Sequence, residues 1–395
     1  MVTISTRGVV LLAIASAIVT ANAYYIHPII GRVAESFGVS NALVGAVPAL
    51  NQIALALGVL LLLPLGDRIS NRRLVVVCLG AQVVALIAMA LVNRFSLFVA
   101  ASTLLGFFTI TPYLLPAYAS KRVDASRLGF VTAVLTTGVV FGVQFSRLGS
   151  GVVGEYFGWR AVYVIAAILM ALAAVVLPLL MGREDRPALE STDESYADLI
   201  ASLPRLARTY RHVMLSGVIQ GLSFAIFLAT WLGIGLHLTG PALGLGTDTV
   251  GYLAAASAIG LATTPRLGRW ADHQGPERAR RKMALAQLMA VSSLVLGTVS
   301  WPLLLIPIVA TAIAGPVIDV TGRMTTLNQP PAIRTRLMSL YITLMFLGGG
   351  LGSWGGTAAY DAGGWWGTVI LTIGMSITVC ALAWIAKAPP ADADR

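Results

Sequence analysis

The sequence predicts an all-α membrane protein with twelve transmembrane helices in two pseudo-symmetric six-helix bundles. Three observations lead to this prediction: an apolar composition, a regular series of apolar runs, and two related loops half a chain apart. Of the 395 residues, 57% are hydrophobic and only 11% are charged, which is too apolar for the polar surface of a water-soluble chain. We therefore expect most of the surface to face lipid.

Twelve apolar runs are each about as long as the roughly 20 residues that a membrane-spanning helix needs. They lie at 8–26, 42–65, 74–92, 96–119, 128–152 and 159–181, and then at 213–238, 249–267, 283–300, 302–322, 337–358 and 366–386. The first run also resembles a signal peptide with a cleavage site at Ala21-Asn22-Ala23, but cleavage would leave eleven spans and unequal halves. We interpret it as the first span.

The long polar stretch between the sixth and seventh runs divides the chain into domains. We predict a first bundle over 1–181, a cytoplasmic linker over 182–212 and a second bundle over 213–395. Leu199 to Tyr210 within the linker has an amphipathic pattern. This segment is therefore expected to be helical and to lie along the membrane surface.

The distribution of basic residues predicts the orientation. If the N-terminus is cytoplasmic, only Arg32, Arg94, Arg147 and Arg160 of the 27 Lys and Arg residues fall toward the outside. This bias predicts a multi-pass protein of the bacterial inner membrane with both termini in the cytoplasm. The net charge of +10 is thus a topology signal that also attracts anionic lipid headgroups, and it does not indicate a nucleic-acid partner.

Two loops carry the same arrangement of charge. Asp67, Arg68 and Arg72 follow the second run, Asp272 and Arg278 follow the eighth, and the two aspartates are 272 − 67 = 205 positions apart. Such an aspartate can bond the start of the next helix and pair with arginines of a neighbouring loop, in a contact that breaks and reforms during a conformational change. We predict that both loops take part in gating; the alternative is a pair of solvated loop acids.

The two loops resemble the G-x-L-a-D-R-x-G-R-R loop of the major facilitator superfamily. The second copy keeps Gly268 and Gly275, whereas the first has Leu63 and Ser70 where the pattern has glycines. Further stretches, Ala21 to Pro28, Gly348 to Ser353 and Gly364-Trp365, resemble a bacterial branch of twelve-helix efflux permeases, grouped with drug:proton antiporters and with sugar or nucleoside exporters. The resemblance implies a monomer that moves a small solute by alternating access.

Asp319 is the preferred candidate for proton coupling. It is the acid that the predicted spans place deepest in the membrane, and Arg323 follows one helical turn later on the same face. Ionisable groups inside a span are costly and commonly functional. Two interpretations remain open: a static ion pair, or a proton site whose release is coupled to solute binding.

Uncharged polar and aromatic side chains at mid-span predict a substrate cavity, together with Arg147. The predicted lining residues are Asn22, Tyr25, Gln52, Tyr113, Gln144, Arg147, Gln220, Phe224, Trp231 and Tyr341. Such a lining suits a neutral or weakly amphipathic organic solute. Each residue is open to a second interpretation as a helix-to-helix hydrogen bond. His27, followed by Pro28, is open to two interpretations, a group that titrates near neutral pH and a helix cap, and the cap is favoured.

Taken together, these features predict a secondary active transporter that exports a drug, a sugar or a nucleoside-like solute in exchange for protons. The alternatives are an uptake symporter or uniporter of a small metabolite, and a transporter-like sensor without turnover. The sequence shows no phosphate-binding loop, nucleophile elbow or metal-ligand set. We therefore expect no enzymatic activity, no metal and no cofactor.

Overall fold

A computed structural model describes residues 5–120, 122–181, 196–258 and 264–386. These residues form sixteen α-helices joined by short turns and 3-10 segments. The helices are α1 (Thr6–Ala21), α2 (Ile26–Phe37), α3 (Asn41–Val44), α4 (Ala46–Leu62), α5 (Asn71–Leu91), α6 (Phe95–Phe108), α7 (Thr111–Ser120), α8 (Ala125–Phe157), α9 (Trp159–Leu180), α10 (Tyr196–Thr209), α11 (Arg211–Thr239), α12 (Thr247–Ser257), α13 (Thr264–Gln274), α14 (Pro276–Ser292), α15 (Leu305–Leu327) and α16 (Pro331–Ile385). The all-α prediction is confirmed.

Nine segments of the described residues are long and apolar enough to cross a membrane. They are Thr6–Phe37, Asn41–Gly66, Asn71–Leu91, Phe95–Pro116, Arg127–Phe157, Trp159–Leu180, Arg211–Thr239, Trp301–Leu327 and Ile333–Ile385. The last contains two predicted spans, because the chain turns at Gly363 and Gly364 and Gly364 takes a φ of 56°. The predicted eighth and ninth spans are covered by the shorter helices α12, α13 and α14, and residues 259–263 lie outside the described part.

The chain forms two compact units. The first contains Met1–Gly38, Leu50–Tyr196 and Gly246–Tyr252, and the second contains Val39–Ala49, Ala197–Leu245 and Leu253–Arg395. The linker prediction of a helix after Leu199 agrees with α10, while residues 182–195 lie outside the described part. The domain boundaries at 181 and 212 and the surface location of this helix stay predictions.

The second repeated loop is shorter than the sequence predicts. Asp272 lies inside α13, and only Gly275, with a φ of 81°, separates this helix from α14. Gly275 can end one helix because it tolerates the left-handed side of conformational space, and Pro276 then begins the next helix with a ready-made φ. The placement of Asp272 in a loop is therefore wrong, whereas Asp67 ends a 3-10 turn as expected of a loop residue.

The first apolar span is broken near its middle, between α1 and α2. Pro28 lacks an N–H, so it cannot donate to the carbonyl of Tyr24 four residues earlier, and its ring crowds that carbonyl. The Tyr24 carbonyl accepts instead from the N–H of His27 at 3.2 Å, and Tyr24 itself donates to Ala21 at 3.0 Å. These tighter i to i−3 bonds interrupt the α-helix, an arrangement often found at functional hinges.

The fourth span is broken in the same way, between α6 and α7. Pro112 cannot donate to the carbonyl of Phe108, and the Thr109 N–H turns to Gly106 at 3.0 Å. The released carbonyl of Phe108 is not left unpaired, because the amide of Gln82 donates to it at 2.9 Å. Broken helices of this kind are tolerated in a membrane only where the freed backbone groups find partners.

Glycines bring α11 and α16 of the second unit into backbone contact. A methyl group on Gly348 would overlap with the backbone of Gly221, and one on Gly352 would overlap with Ala225. Small residues at a helix crossing allow such close approach in membranes, where packing drives association. This crossing places the polar residues of α11 and α16 at the interior of the second unit.

We predict that Gly348→Ala destabilises the protein, because the added methyl group forces the two helices apart. An overpacked site costs about 1–3 kcal/mol. Gly374→Ala, in the same helix, is the matched control, since no atom lies within 4 Å of its added methyl group. The midpoint of thermal unfolding in detergent measures both variants. Equal midpoints for Gly348→Ala and Gly374→Ala would contradict this account of the crossing.

Candidate functional site

Buried polar side chains form hydrogen-bonded networks in each unit. Polar atoms removed from water cost about 1–3 kcal/mol each unless they are paired, so their partners indicate what each network is built to hold. The first unit has one network at its helix breaks and a second around Arg147. The second unit has one around Asp319 and another around Arg280.

Gln82, in the middle of α5, links both broken spans of the first unit. Its amide oxygen accepts from the Asn22 side chain at 3.1 Å and lies 3.4 Å from the Thr109 hydroxyl, while its amide nitrogen donates to the Phe108 carbonyl. Gln82 is fully buried. The sequence prediction includes Asn22 but omits Gln82, although a lone amide inside an apolar run is a recognisable signal.

Arg147, on α8, is fully buried and is held by side chains of two helices. Its Nε donates to Nδ1 of His27 at 3.1 Å, and its Nη1 donates to the Gln144 amide oxygen at 3.0 Å and toward the Val143 carbonyl at 3.5 Å. The guanidinium also lies 5.1 Å from the centre of the Tyr24 ring. The sequence interpretation of His27 as a helix cap is wrong, since α2 continues to Phe37 and His27 is fully buried.

A carboxylate further along α8 ties this helix to α2 and α12. Glu155 accepts from Arg32 at 2.5 Å and from the backbone N–H of Thr247 at 2.8 Å. The Thr247 hydroxyl donates to the Gly151 carbonyl at 2.7 Å. The carboxylate therefore lies at the positive N-terminal end of α12, where a negative charge is stabilised.

Asp319, on α15, pairs with Arg323, as the sequence predicts, and also contacts Tyr341. Its carboxylate accepts from Nε of Arg323 at 2.8 Å, and the Tyr341 hydroxyl of α16 lies 3.0 Å from the other carboxylate oxygen. A methyl group on Gly322 would overlap with the Tyr341 hydroxyl, so this glycine lets the ring reach α15. The Asp319 side chain is 22% exposed and that of Arg323 34% exposed.

Arg280, near the start of α14, links this helix to two others of the second unit, α11 and α15. It donates to the Ser216 hydroxyl at 3.0 Å, to the Thr321 carbonyl at 3.1 Å and to the Thr325 hydroxyl at 3.0 Å, and is 4% exposed. In the sequence, Arg280 is only one of the basic residues that indicate the topology, and the sequence does not predict this buried network. Arg278, two residues earlier, is exposed.

Among the predicted cavity residues, the structure pairs Gln144 with Arg147, whereas Asn22, Phe224 and Tyr341 contact residues outside the predicted set. Gln144 meets Arg147, Phe224 lies edge-on to Phe346 at 5.8 Å, and Tyr341 meets Asp319. The other members are Asn22, Tyr25, Gln52, Gln220 and Trp231, which are buried, and Tyr113, which is half-buried. Their joint role as a substrate cavity stays a prediction.

The gating prediction also stays open. The side chains of Asp67 and Asp272 lie outside the described part of the structure. The side chains of Arg68 and Arg278 are exposed and that of Arg72 is half-buried, as expected at the end of a span.

Comparison with known proteins identifies the family. The family model described as Major Facilitator Superfamily matches residues 12–296. The chain belongs to the major facilitator superfamily. As a member of this superfamily it is a multi-pass membrane transporter of a small solute and not an enzyme.

Relatives of this major facilitator protein cover most of its length. It is 25% identical over 377 residues to the uncharacterized transporter YgaY of Escherichia coli O157:H7, and this match covers 95% of this chain and 94% of the relative. It is 23% identical over 283 residues to the multidrug resistance protein MdtG of Dickeya zeae, covering 70% of this chain and 67% of the relative.

A solved structure supports the fold. The crystal structure of the nucleoside transporter NupG superposes with a TM-score of 0.72 over 98% of this chain and all of that chain (100%), at 15% sequence identity. At this identity the likeness establishes the fold alone. The sequence-derived expectation of a major facilitator fold is therefore confirmed.

Proposed function

We propose that this protein exports a small organic solute, such as a drug, a sugar or a nucleoside-like compound, by alternating access and in exchange for protons. The observation that carries the proposal is the Asp319 carboxylate, held by Arg323 and Tyr341 in the second unit. A carboxylate that alternates between an ion pair and a protonated form is a suitable coupling element.

The position of Asp319 distinguishes it from the other acids of the candidate spans. Among the described residues, Glu35, Glu155 and Asp361 each lie two residues from the end of a helix or from the break in α16. Asp319 lies eight residues, about 12 Å along the axis, from the end of α15 at Leu327. A proton on this carboxylate is thus carried at a depth that the other three acids do not reach.

Protonation of Asp319 would change both of its contacts. The neutral acid attracts Arg323 less strongly, and the Tyr341 hydroxyl loses a charged acceptor, so the link between α15 and α16 weakens. Because this link joins two helices of the second unit, the protonation state of Asp319 can bias which of two helix arrangements is favoured. Solute and proton then compete through the same conformational equilibrium.

The names of related proteins support export and the proposed range of cargo. MdtG is named for multidrug resistance and NupG for nucleoside transport, and those functions belong to those proteins. We extend the proposal to a monomer in the bacterial inner membrane with both termini cytoplasmic. The placement of Lys and Arg in alternate loops supports this orientation, and the same residues are positioned to contact anionic lipids.

A cellular accumulation screen tests the proposal. Labelled drugs, sugars and nucleosides are compared in deletion and overproducing cells, with and without a protonophore. We expect overproducing cells to retain less of at least one compound, and the protonophore to remove this difference. Higher retention in overproducing cells would contradict export and favour the uptake alternative.

A further inference from the structure

The exposed sides of α5 and α9 have the chemistry expected of a surface in contact with lipid. On α9 the large exposed side chains are aliphatic throughout: Val164, Ile165, Ile168, Leu169, Leu172, Val175, Val176, Leu179 and Leu180. After the first turn of α5, the exposed residues are likewise valines, an isoleucine, a leucine and one glycine. Lipid tails are as apolar as such side chains, so these two helices provide a reference for a lipid-facing surface within the first unit.

The exposed side of α8 differs from this reference. Among the described residues of α8, none of the exposed side chains is a valine, leucine or isoleucine. The exposed residues are instead Gly129, Phe130, Thr132, Ala133, Thr136, Thr137, Phe141, Phe145, Tyr156 and Phe157. The helix is also the most open of the nine candidate spans, because 22% of its apolar stretch is buried against at least 39% in each of the others.

The threonines of this face indicate contact with water or with a polar molecule. Thr137 donates to the Ala133 carbonyl at 2.8 Å, which is how a hydroxyl is commonly paired within a helix. Thr132 and Thr136 make no such bond to another described residue. An unpaired hydroxyl is costly in hydrocarbon, so polar side chains on a span generally face a water-filled cavity or a neighbouring helix.

Two phenylalanines form a flat surface halfway along the same face. The rings of Phe141 and Phe145 are stacked at 5.4 Å with an angle of 16° between their planes, and the side chains are 59% and 57% exposed. A methyl group on Gly142 would overlap with the backbone of Ala17 in α1, so close contact on the opposite side of α8 holds the rings outward. Stacked aromatic rings favour a further flat ring over an aliphatic chain.

We propose that this face of α8 lines the solute path and that Phe141 and Phe145 bind a planar aromatic ring of the transported solute. This inference rests on the proposed transport function and narrows its cargo to compounds with a flat ring, which excludes simple sugars. Thr136 lies five residues before Phe141, about 7.5 Å along the helix axis. Its hydroxyl is thus available to a polar substituent of a ring stacked on the phenylalanines.

Cysteine labelling tests whether this face meets water. Cys78→Ala and Cys380→Ala together remove both native cysteines. In this background, Thr136→Cys is compared with Ile168→Cys, from the aliphatic side of α9, in proteoliposomes with a charged methanethiosulfonate reagent on both sides of the membrane. The thiolate is the reactive form and is disfavoured in lipid, so we expect Thr136→Cys to react at least about tenfold faster. Thr132→Cys replaces Thr136→Cys if the latter does not fold.

Protection from labelling tests the class of ligand. The aromatic probes are 2-naphthalenemethanol, indole-3-ethanol and adenosine, and their non-aromatic counterparts are decalin-2-methanol, 2-cyclohexylethanol and ribose. We expect at least one aromatic probe to slow the labelling of Thr136→Cys in a saturable manner, by about fivefold at four times its half-saturating concentration. The matched counterpart should have little effect, which excludes simple partitioning into the membrane as the cause.

Substitution of the ring pair assigns the protection to the site. Phe141→Leu and Phe145→Leu are combined in the labelling background, and the half-saturating concentration of the protecting probe should rise about two- to tenfold. Phe157→Leu, which removes an exposed ring at the end of the same helix, is the control and should leave it unchanged. If the combined variant does not fold, Phe145→Leu alone is measured. Equal half-saturation in the ring-pair variant and the control would remove the two phenylalanines from the site.

The remaining outcomes separate this inference from the proposed function. Labelling of Thr136→Cys as slow as that of Ile168→Cys would identify a lipid-facing or covered surface and overturn the inference. Equal protection by an aromatic probe and its counterpart, or export of non-aromatic compounds alone in the accumulation screen, would overturn it and leave proton-coupled export intact. Selective protection by an aromatic probe without proton-dependent export would support the site and contradict the proposed function.

Discussion

Replacement of Asp319 by Asn is expected to abolish proton-driven solute movement in proteoliposomes. The amide cannot release a proton, so the ion pair with Arg323 is lost and the coupling element is fixed in one state. With the compound identified by the accumulation screen, a pH gradient should drive wild-type transport at a rate at least about 100-fold above that of Asp319→Asn. Exchange of labelled for unlabelled solute should persist, because it needs no net proton movement.

Asp361→Asn is the matched control for this experiment. Asp361 is an exposed acid beside the break in α16, so the same chemical change should leave pH-driven transport near the wild-type rate. Unchanged coupling in Asp319→Asn would remove Asp319 from the mechanism and favour the static ion pair. Loss of exchange as well as coupling would indicate a structural role for the pair.

Replacement of Arg280 by Met is expected to produce the largest loss of stability. The methionine fills much of the space but donates no hydrogen bonds, so the Thr321 carbonyl and the hydroxyls of Ser216 and Thr325 lose their donor. Each bond to a charged group is worth about 1.5–3 kcal/mol, so a total loss of about 3 kcal/mol or more follows. The midpoint of thermal unfolding in detergent measures it.

Arg278→Met provides the comparison for Arg280. Both arginines lie in the first turn and a half of α14, but Arg278 is exposed, so its replacement should change the unfolding midpoint little. If the two variants unfold at the same temperature, the interhelical network of Arg280 contributes nothing measurable to stability.

The fold follows from the sequence because hydropathy reports the requirement that lipid places on every span. An apolar run of about 20 residues satisfies its backbone hydrogen bonds only as a helix. The helix breaks are harder to predict from hydropathy, since Pro28 and Pro112 each lie inside the helix that follows the break they cause. The effect of each proline falls on the carbonyl four residues earlier, and hydropathy does not register it.

The networks show where single-sequence reasoning reaches its limit. The sequence predicts the pair of Asp319 and Arg323, because residues four positions apart on one helix lie on the same face at a fixed distance. The contacts of His27 with Arg147 and of Gln82 with Asn22 join residues 120 and 60 positions apart, and the sequence alone does not determine which helix faces meet. The contacts of Arg280 with Ser216 and Thr321 likewise join separate helices, and its basic neighbours in the sequence give no sign of them.

The sequence of α14 nevertheless contains a pattern that indicates which face of the helix is buried. Arg280, Ala284, Gln287 and Val291 recur at helical spacing, and all four are buried. A polar residue within such a repeat lies on the packed side of the helix rather than at its solvated side. The same test applied to α5 places Gln82 on a face with the buried residues Cys78 and Leu79.

The most direct test of proton-coupled export is solute-driven proton movement in proteoliposomes that contain the wild-type protein. A solute gradient is imposed without a pH gradient, and an internal pH-sensitive dye reports proton flux. The exchange mechanism predicts protons moving opposite to the solute, at a rate that falls to that of empty liposomes in Asp319→Asn. Solute movement without any proton flux, or with protons moving in the same direction, would contradict it.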